Sequence, residues 1–340
     1  MKKILHTLYI LDSDLVVEKK NQALRILHKD GRNDHIPLEM IENIVVFSKI
    51  QIKEEVFQMC AEKGIDIWVL DGNARVRYRI TGKFHGNVTV RKEQCLLSES
   101  REKIPVIKAM ITGKIKNLQF VLAKFKRSHP DCERESMDLA IRKLKECEQK
   151  LQFAETEESI RAVESQAARI YFQVFPYMIL RKEPEFRFTN RNRRPPKDPV
   201  NALLSYTYTL LMMECVTTLE SAGVDPYVGL LHTDRSGKAS MALDMMEEFR
   251  PLLADRLVLR LLNLKMIKKD MFEQNKEGIY LNNIGKRLVI QEWRQMKEEK
   301  VFVEEIEEMV PKGLFPSIQA QKLVRFLKGE LSEYTALTRR

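Results

Sequence analysis

The run AGVDPYVGLLHTDRSGKASMALDMMEEFRP, residues 222–251, places one histidine, His232, between an apolar tripeptide and a polar turn. Twelve residues later a largely apolar stretch carries Asp244 and, three further on, Glu247, which on a helix project from one face. Ionised carboxylates facing a core are costly unless they are paired or bind a cation. A divalent metal held by imidazole and carboxylate is the explanation that also supplies a function.

Glu164 is the third acid of interest. In EESIRAVESQAARIYF it lies four residues after Ile160, four before Ala168 and seven before Tyr171, so it interrupts an otherwise apolar helical stripe. Ala167 and Ala168 beside it would let another helix approach closely. Oxygen ligands suit magnesium or manganese, and one imidazole among them tilts the choice towards manganese. Such a site can activate a hydroxyl nucleophile and stabilise charge on a phosphate. Simpler readings stay open. His232 fits a hydrogen-bonded core histidine. Glu247 could pair with Arg250, and Glu164 with Arg161 or Arg169. Spacing alone does not bring Glu164, His232 and Glu247 together.

The elements that must position these residues fall into two textures. In the first 95 or so residues, DLVVEK and ALRILHK flank a Lys-Asn turn and predict a hairpin. IENIVVFS and IDIWVLD read as strands. Between them KEEVFQMCAEKG has helical spacing at Val56, Met59 and Cys60, with Gly64 as its stop. ARVRYRITG alternates Val76, Tyr78 and Ile80 against Arg75, Arg77 and Arg79, which predicts a half-buried strand with a basic face. From about Ser98 onward helical patterns dominate. The expected architecture is therefore α+β with two domains. A β-rich N-terminal domain covers residues 1–95, a linker residues 96–102, and a larger all-α domain residues 103–340. There is no internal repeat and no low-complexity tract.

Within the helical part, RFTNRNRRPPKDPVN is a basic segment stiffened by Pro195, Pro196 and Pro199, with Arg187 at its start. The next helix is expected to begin at Asp198-Pro199, an acidic cap followed by proline at the first helical position. A solvated connector is one reading of the segment. A phosphate-backbone contact through Arg191, Arg193, Arg194 and Lys197 is the other.

Composition supports the second reading. The formal net charge of +10 points to a polyanionic partner, nucleic acid first. The five cysteines form no CxxC pair and their number is odd, so a disulfide framework and a thiolate zinc site are both disfavoured. The chain reads as reduced and cytoplasmic. Its opening, MKKILHTLYILDSD, is too short and too broken for a signal peptide. No window approaches 18 uninterrupted apolar residues, so no membrane span is expected.

Three blocks in order carry a family likeness: VESQAARIYF around Glu164, then NRRPPKDPVNALLSYTYTLL, then the run from Ala222 to Pro251. In these the chain resembles the CRISPR-associated integrases of spacer acquisition (Cas one), nearly end to end. MKKILHTLYIL and HGNVTVRKEQ look like the branch found with type I-C systems. The resemblance implies an N-terminal β-domain, an all-helical C-terminal domain and a homodimer formed through the N-terminal domains. It implies a metal-dependent DNA endonuclease and integrase, with Glu164, His232 and Glu247 as ligands of Mn2+ or Mg2+ and Asp244 supporting or sharing the metal. The expected DNA is duplex with single-stranded 3′ ends, together with CRISPR repeat DNA. Two such dimers would flank a dimer of a small second adaptation protein (Cas two). The chain departs from many relatives at Ser165, where they have glycine, and at Lys238 and Met241. None of these is expected to touch a ligand. Lys238 keeps a charge for DNA where relatives carry arginine, but lacks its planar fork.

Overall fold

Residues 6–47, 49–71, 75–82, 87–192 and 195–339 are described by a computed structural model. The N-terminal unit, residues 1–85 with 281–291, holds two four-stranded sheets. Its strands are β1 (His6–Ile10), β2 (Val16–Lys20), β3 (Ala23–Leu27), β4 (Asn33–Pro37), β5 (Ile41–Val46) and β6 (Gln51–Ile52), followed by helix α1 (Glu54–Lys63), β7 (Asp66–Leu70) and β8 (Val76–Ile80). The sheet orders are β4-β3-β2-β6 and β1-β5-β7-β8. The expected hairpin is β2 on β3, Val16 opposite Leu27 and Lys20 opposite Ala23. Its turn places Asn21 at φ 56°, a left-handed conformation that asparagine tolerates. Helix α1 buries Val56, Met59 and Cys60 and ends on Gly64 at φ 68°, as its spacing predicts. These side chains join Val17, Leu24, Ile44 and Ile67 in one core.

Strand β8 departs from its expected alternation. Val76 and Tyr78 are 37% and 57% exposed, Ile80 alone of the three packs on the core as expected, and Arg79 is enclosed beside it. β8 is a sheet edge, and the burial cost of Arg79 is offset there by an ion pair to Asp66 and by the Trp68 ring, 4.7 Å away.

The second unit covers residues 86–280 and 292–340, so the division falls about ten residues before the expected boundary of 95–102. The cause is Asn87. Its side chain accepts from the Thr89 and Val90 amides at 3.1 and 3.3 Å, starting helix α2 (Val88–Glu99) where β-branched residues read as strand. Then follow α3 (Lys103–Ser128), α4 (Arg134–Gln152), α5 (Glu157–Val174), α6 (Pro199–Ala222), α7 (Ser240–Met246), a π-helical turn at Arg250–Asp255, and α8 (Arg256–Asn263). The expectation of an all-α domain is corrected here. β9 (Phe272–Gln274) pairs with β10 (Ile279–Leu281), and after α9 (Asn283–Glu298), whose residues up to 291 fall to the N-terminal unit, a second hairpin joins β11 (Lys300–Val303) to β12 (Glu308–Pro311). These strands are three or four residues long, below the length at which alternation is legible. Helix α10 (Phe315–Leu327) closes the order.

Among the described residues α6 is the helix long and apolar enough, by length and composition, to cross a membrane; 67% of its most apolar window is buried inside the protein. Leu203, Leu204, Leu211 and Cys215 along it are fully buried, as in the central helix of a large core. Asp198 caps it by accepting from the Asn201 amide at 2.8 Å, with Pro199 at the first position, as expected.

The chain returns to α3 at its far end. Asn117, wholly buried, donates to the carbonyls of Glu248 and Leu337 at 2.8 and 2.9 Å and accepts from the Arg339 amide at 3.0 Å. Tyr334 and the Leu337 amide donate to the buried Glu248 carboxylate at 2.6 and 3.0 Å, and Gln319 does so at 2.9 Å. Gly113 makes room for this strap, because a Cβ there would stand 2.5 Å from that of Ala336. Replacing Asn117 by leucine strips partners from two buried carbonyls and a part-buried amide and should cost about 3 kcal/mol. Calorimetry should show the melting temperature lowered by roughly 5 °C or more; an unchanged value would mean that the strap is not held through this amide.

Candidate metal centre

Helix α3 carries a buried apolar stripe through Ile107, Met110, Ile111, Ile115, Leu118 and Leu122. Lys114 sits in that stripe with only 6% of its side chain exposed. Its ammonium donates to Glu164 on α5 and, at 2.6 Å, to Oε2 of Glu247 just past the end of α7. The other oxygen of Glu247 takes Arg250 at 2.5 Å, the helix pair expected from its spacing. Burial pushes the Glu247 carboxyl up, but Arg250 first and Lys114 next outweigh it, and the group is held down to about 2. Glu164 is less enclosed, 22% exposed at its side chain. Two acids from different helices thus share one cation.

His232 is held by a different acid. Asp244, 1% exposed at its side chain, accepts from the amides of Leu230 and Leu231 at 2.7 and 2.9 Å, from the His232 amide at 3.0 Å and from His232 Nδ1 at 2.6 Å. An ionised carboxylate only accepts, so Nδ1 carries the ring proton and Nε2 is left with its lone pair. The four bonds consume Asp244, which makes it a positioning residue for His232; a share in a metal is not open to it in this arrangement. Arg161 fixes the same turn from α5, donating to the Leu231 carbonyl and to Glu157, so it is not the partner of Glu164. Gly229 is required by the close turn, since a Cβ there would lie 2.6 Å from Ser240 Cβ and 2.8 Å from the His232 carbonyl oxygen. Gln94 on α2, 1% exposed, pins the approach by donating to the carbonyls of Asp225 and Val228 at 2.8 Å each.

Among the described residues no three His, Cys, Asp or Glu side chains converge closely enough to form a ready metal cluster. Glu164 and Glu247 meet on Lys114, while His232 is tied to Asp244. The donor chemistry nevertheless fits a divalent ion. Two carboxylates and an imidazole nitrogen are present, and a buried acid orients the ring through its other nitrogen. Lys114 went unread in the sequence, although GKIKN set a lysine where the helical period demands an apolar residue. Ser165 corrects another expectation, because its hydroxyl donates to Glu164 Oε2 at 3.3 Å and so touches a candidate ligand.

The basic segment is more structural than expected. Arg191 donates to Asn201 Oδ1 at 2.7 Å and to Ser205 Oγ at 3.2 Å, both on α6, and lies 5.3 Å from the Tyr208 ring. Asn201, fully buried, also takes the Asn192 amide at 3.0 Å and donates to the Asn190 carbonyl at 2.8 Å. Lys197 is exposed. Arg193 and Arg194 lie outside the described residues. Lys238 is half-buried and donates to the Thr233 carbonyl at 3.1 Å, closing the turn after His232. One helical turn beyond Glu164, a cleft of about 440 Å³ opens between α5 and residues 189–191, with Phe172, Arg169, Gln173 and Asn190 in its lining.

The family model described as "CRISPR associated protein Cas1" matches residues 8–295. A Rhodospirillum rubrum protein named CRISPR-associated endonuclease Cas1 2 is 38% identical over 98% of both chains. A solved casposase bound to an integration product superposes with a TM-score of 0.84 at 19% identity, covering 98% of this chain and 94% of that one. A chain in a solved Cas6-RT-Cas1–Cas2 complex does so with a TM-score of 0.83 at 23% identity, over 99% of this chain and 36% of the other. At those identities the two structures establish a shared fold.

Two outcomes follow from the charged groups. Nitrogen-detected NMR of His232 should show the Nδ1-protonated tautomer, and Asp244→Asn should mix or invert it; a wild-type ring protonated at Nε2 would contradict the assignment. Asp255, fully buried and bonded at 2.8 Å to the Tyr208 hydroxyl, has its carboxyl raised by burial to about 6. The fold therefore binds that proton more tightly than the unfolded chain does, and this contribution is complete below about pH 4 and lost as pH rises through about 6. The melting temperature of wild type minus that of Asp255→Asn should fall between pH 5 and pH 7.5, and a flat difference would show that Asp255 ionises normally.

Proposed function

The chain belongs to the Cas1 family of CRISPR-associated proteins, and from that footing we propose that it is a divalent-metal-dependent DNA endonuclease and integrase that inserts new spacers into a CRISPR array. The observation that carries the reading is the pair of acids, Glu164 and Glu247, converging on a single cation beside an imidazole whose Nδ1 is fixed by Asp244.

Glu164, Glu247 and His232 Nε2 would hold Mn2+ or Mg2+. Bound there, the ion would neutralise charge on a phosphodiester and favour ionisation of the attacking hydroxyl. Asp244 keeps the His232 lone pair aimed by removing rotational and tautomeric freedom from the ring. Arg250, together with Lys114, lowers the Glu247 carboxyl and favours its ionised form. In strand transfer the 3′-hydroxyl of the incoming DNA attacks a phosphorus in the repeat. A P–O bond forms to that oxygen, the bond to the neighbouring 3′ oxygen breaks, and the proton lost by the attacking hydroxyl is balanced by the one the leaving oxygen gains. Hydrolytic cleavage is the same displacement with water as nucleophile.

The partners proposed are duplex DNA with single-stranded 3′ ends, CRISPR repeat DNA, a second copy of the chain and the small protein Cas2, which the solved Cas6-RT-Cas1–Cas2 complex contains. The net charge of +10 supports a polyanion. The cleft past Glu164 has an aromatic ring, amides and guanidinium groups suited to an unstacked base. Lys197, Arg193, Arg194 and Lys238 are the proposed phosphate contacts, with Arg191 bracing the segment from within. The exposed Val76 and Tyr78 on the edge strand β8 support a homodimer through the N-terminal unit. The type I-C assignment rests on the opening residues and the HGNVTVRKEQ segment alone.

A labelled DNA with 3′ overhangs, incubated with a supercoiled repeat plasmid and Mn2+, tests the reading. Wild type should join the label to the plasmid, and Glu164→Ala, His232→Ala and Glu247→Ala should each abolish joining and cleavage while keeping the fold. Full activity in any of the three would sink the assignment, and cleavage without joining would reduce the protein to a nuclease.

A further inference from the structure

The residue the metal reading does not use is the one at its centre. Lys114 is 6% exposed at its side chain, projects from the core stripe of α3, and donates to both Glu164 and Glu247. A lysine in a packed apolar stripe is costly unless its charge is paired and hydrogen-bonded. Here the partners are the two acids that would hold a divalent ion, and they come from two other segments of the chain.

We propose that Lys114 is a resident cation for the carboxylate pair, holding Glu164 and Glu247 together before metal binds and yielding its place between them when a divalent ion enters. The inference rests on the metal reading and adds what that reading lacks, an account of the site before loading. Charge balance supports it. Two carboxylates against Lys114 and Arg250 make a neutral buried group. A divalent ion added without displacement would leave two uncompensated positive charges in a low dielectric. Withdrawal of the ammonium leaves one, which an incoming phosphodiester neutralises. Geometry agrees, because the ammonium occupies the point on which the two acids converge, where a shared ion would also sit. Lys114 is thus a positioning residue that keeps the acids preorganised and makes metal entry an exchange of cations.

Calorimetric titration of the full chain with Mn2+ tests this on Lys114→Met, which keeps the length of the side chain and removes its charge. The variant should bind Mn2+ about tenfold or more tightly than wild type, because no resident cation competes. It should melt lower than wild type without metal and gain more on adding Mn2+. Lys114→Arg, which retains a cation, should bind no more tightly than wild type. Binding by wild type with equal or weaker affinity in Lys114→Met would overturn the exchange and leave the metal site standing. No Mn2+ bound by wild type or variant would overturn the metal reading and the exchange with it. Should Lys114→Met fail to fold, Mg2+ titrated into wild-type protein carrying nitrogen-labelled lysine reads the same event. The Lys114 Nζ resonance should move at saturation, and a fixed resonance would overturn the exchange.

Discussion

The second unit is organised around the cost of burying charge. Lys114, Glu164, Glu247 and Arg250 come from α3, α5, the end of α7 and the π-helical turn, and each is tolerable in the core only because the others are there. Removing one member leaves the remainder uncompensated, a far larger penalty than the net value of the pairs. The helices are therefore tied in register by electrostatics as well as by packing.

A second layer keeps the imidazole independent of that cluster. Asp244 gathers three backbone amides and the His232 ring into one carboxylate, Arg161 holds the Leu231 carbonyl, and Gln94 holds residues 225 and 228. The turn bearing His232 has little regular structure of its own, and its shape is imposed by these side chains. Rigidity at a loop-borne donor is obtained in this way when no helix or strand can supply it.

Much of this was legible in the residues, and the failures share a cause. Period and punctuation revealed the β2–β3 hairpin, α1 with its Gly64 stop, the cap at Asp198 and the shift from strand to helix. They also singled out Glu164, His232, Asp244 and Glu247 as polar groups in apolar company. What they could not reveal was pairing across long separations. Lys114 meets Glu247 over 133 residues, and even at short range they did not reveal that Arg79 turns to Asp66 and Trp68 or that Asn201 knots the basic segment from inside. Each inverted the reading that a charge faces water. Asn87 was missed for a local reason, since a cap before Val-Thr-Val competes with the strand propensity of those residues.

The strap that returns to α3 has a consequence for how the second unit closes. Asn117 meets Leu337 and Arg339 across 220 and 222 residues, and the same strap grips Glu248, next in sequence to Glu247. Helix α3 is built from local contacts, whereas these bonds close loops of 220 and 222 residues and so belong to the slow steps of folding. Glu248, and with it the backbone beside Glu247, gains these partners only when residues 334–337 dock.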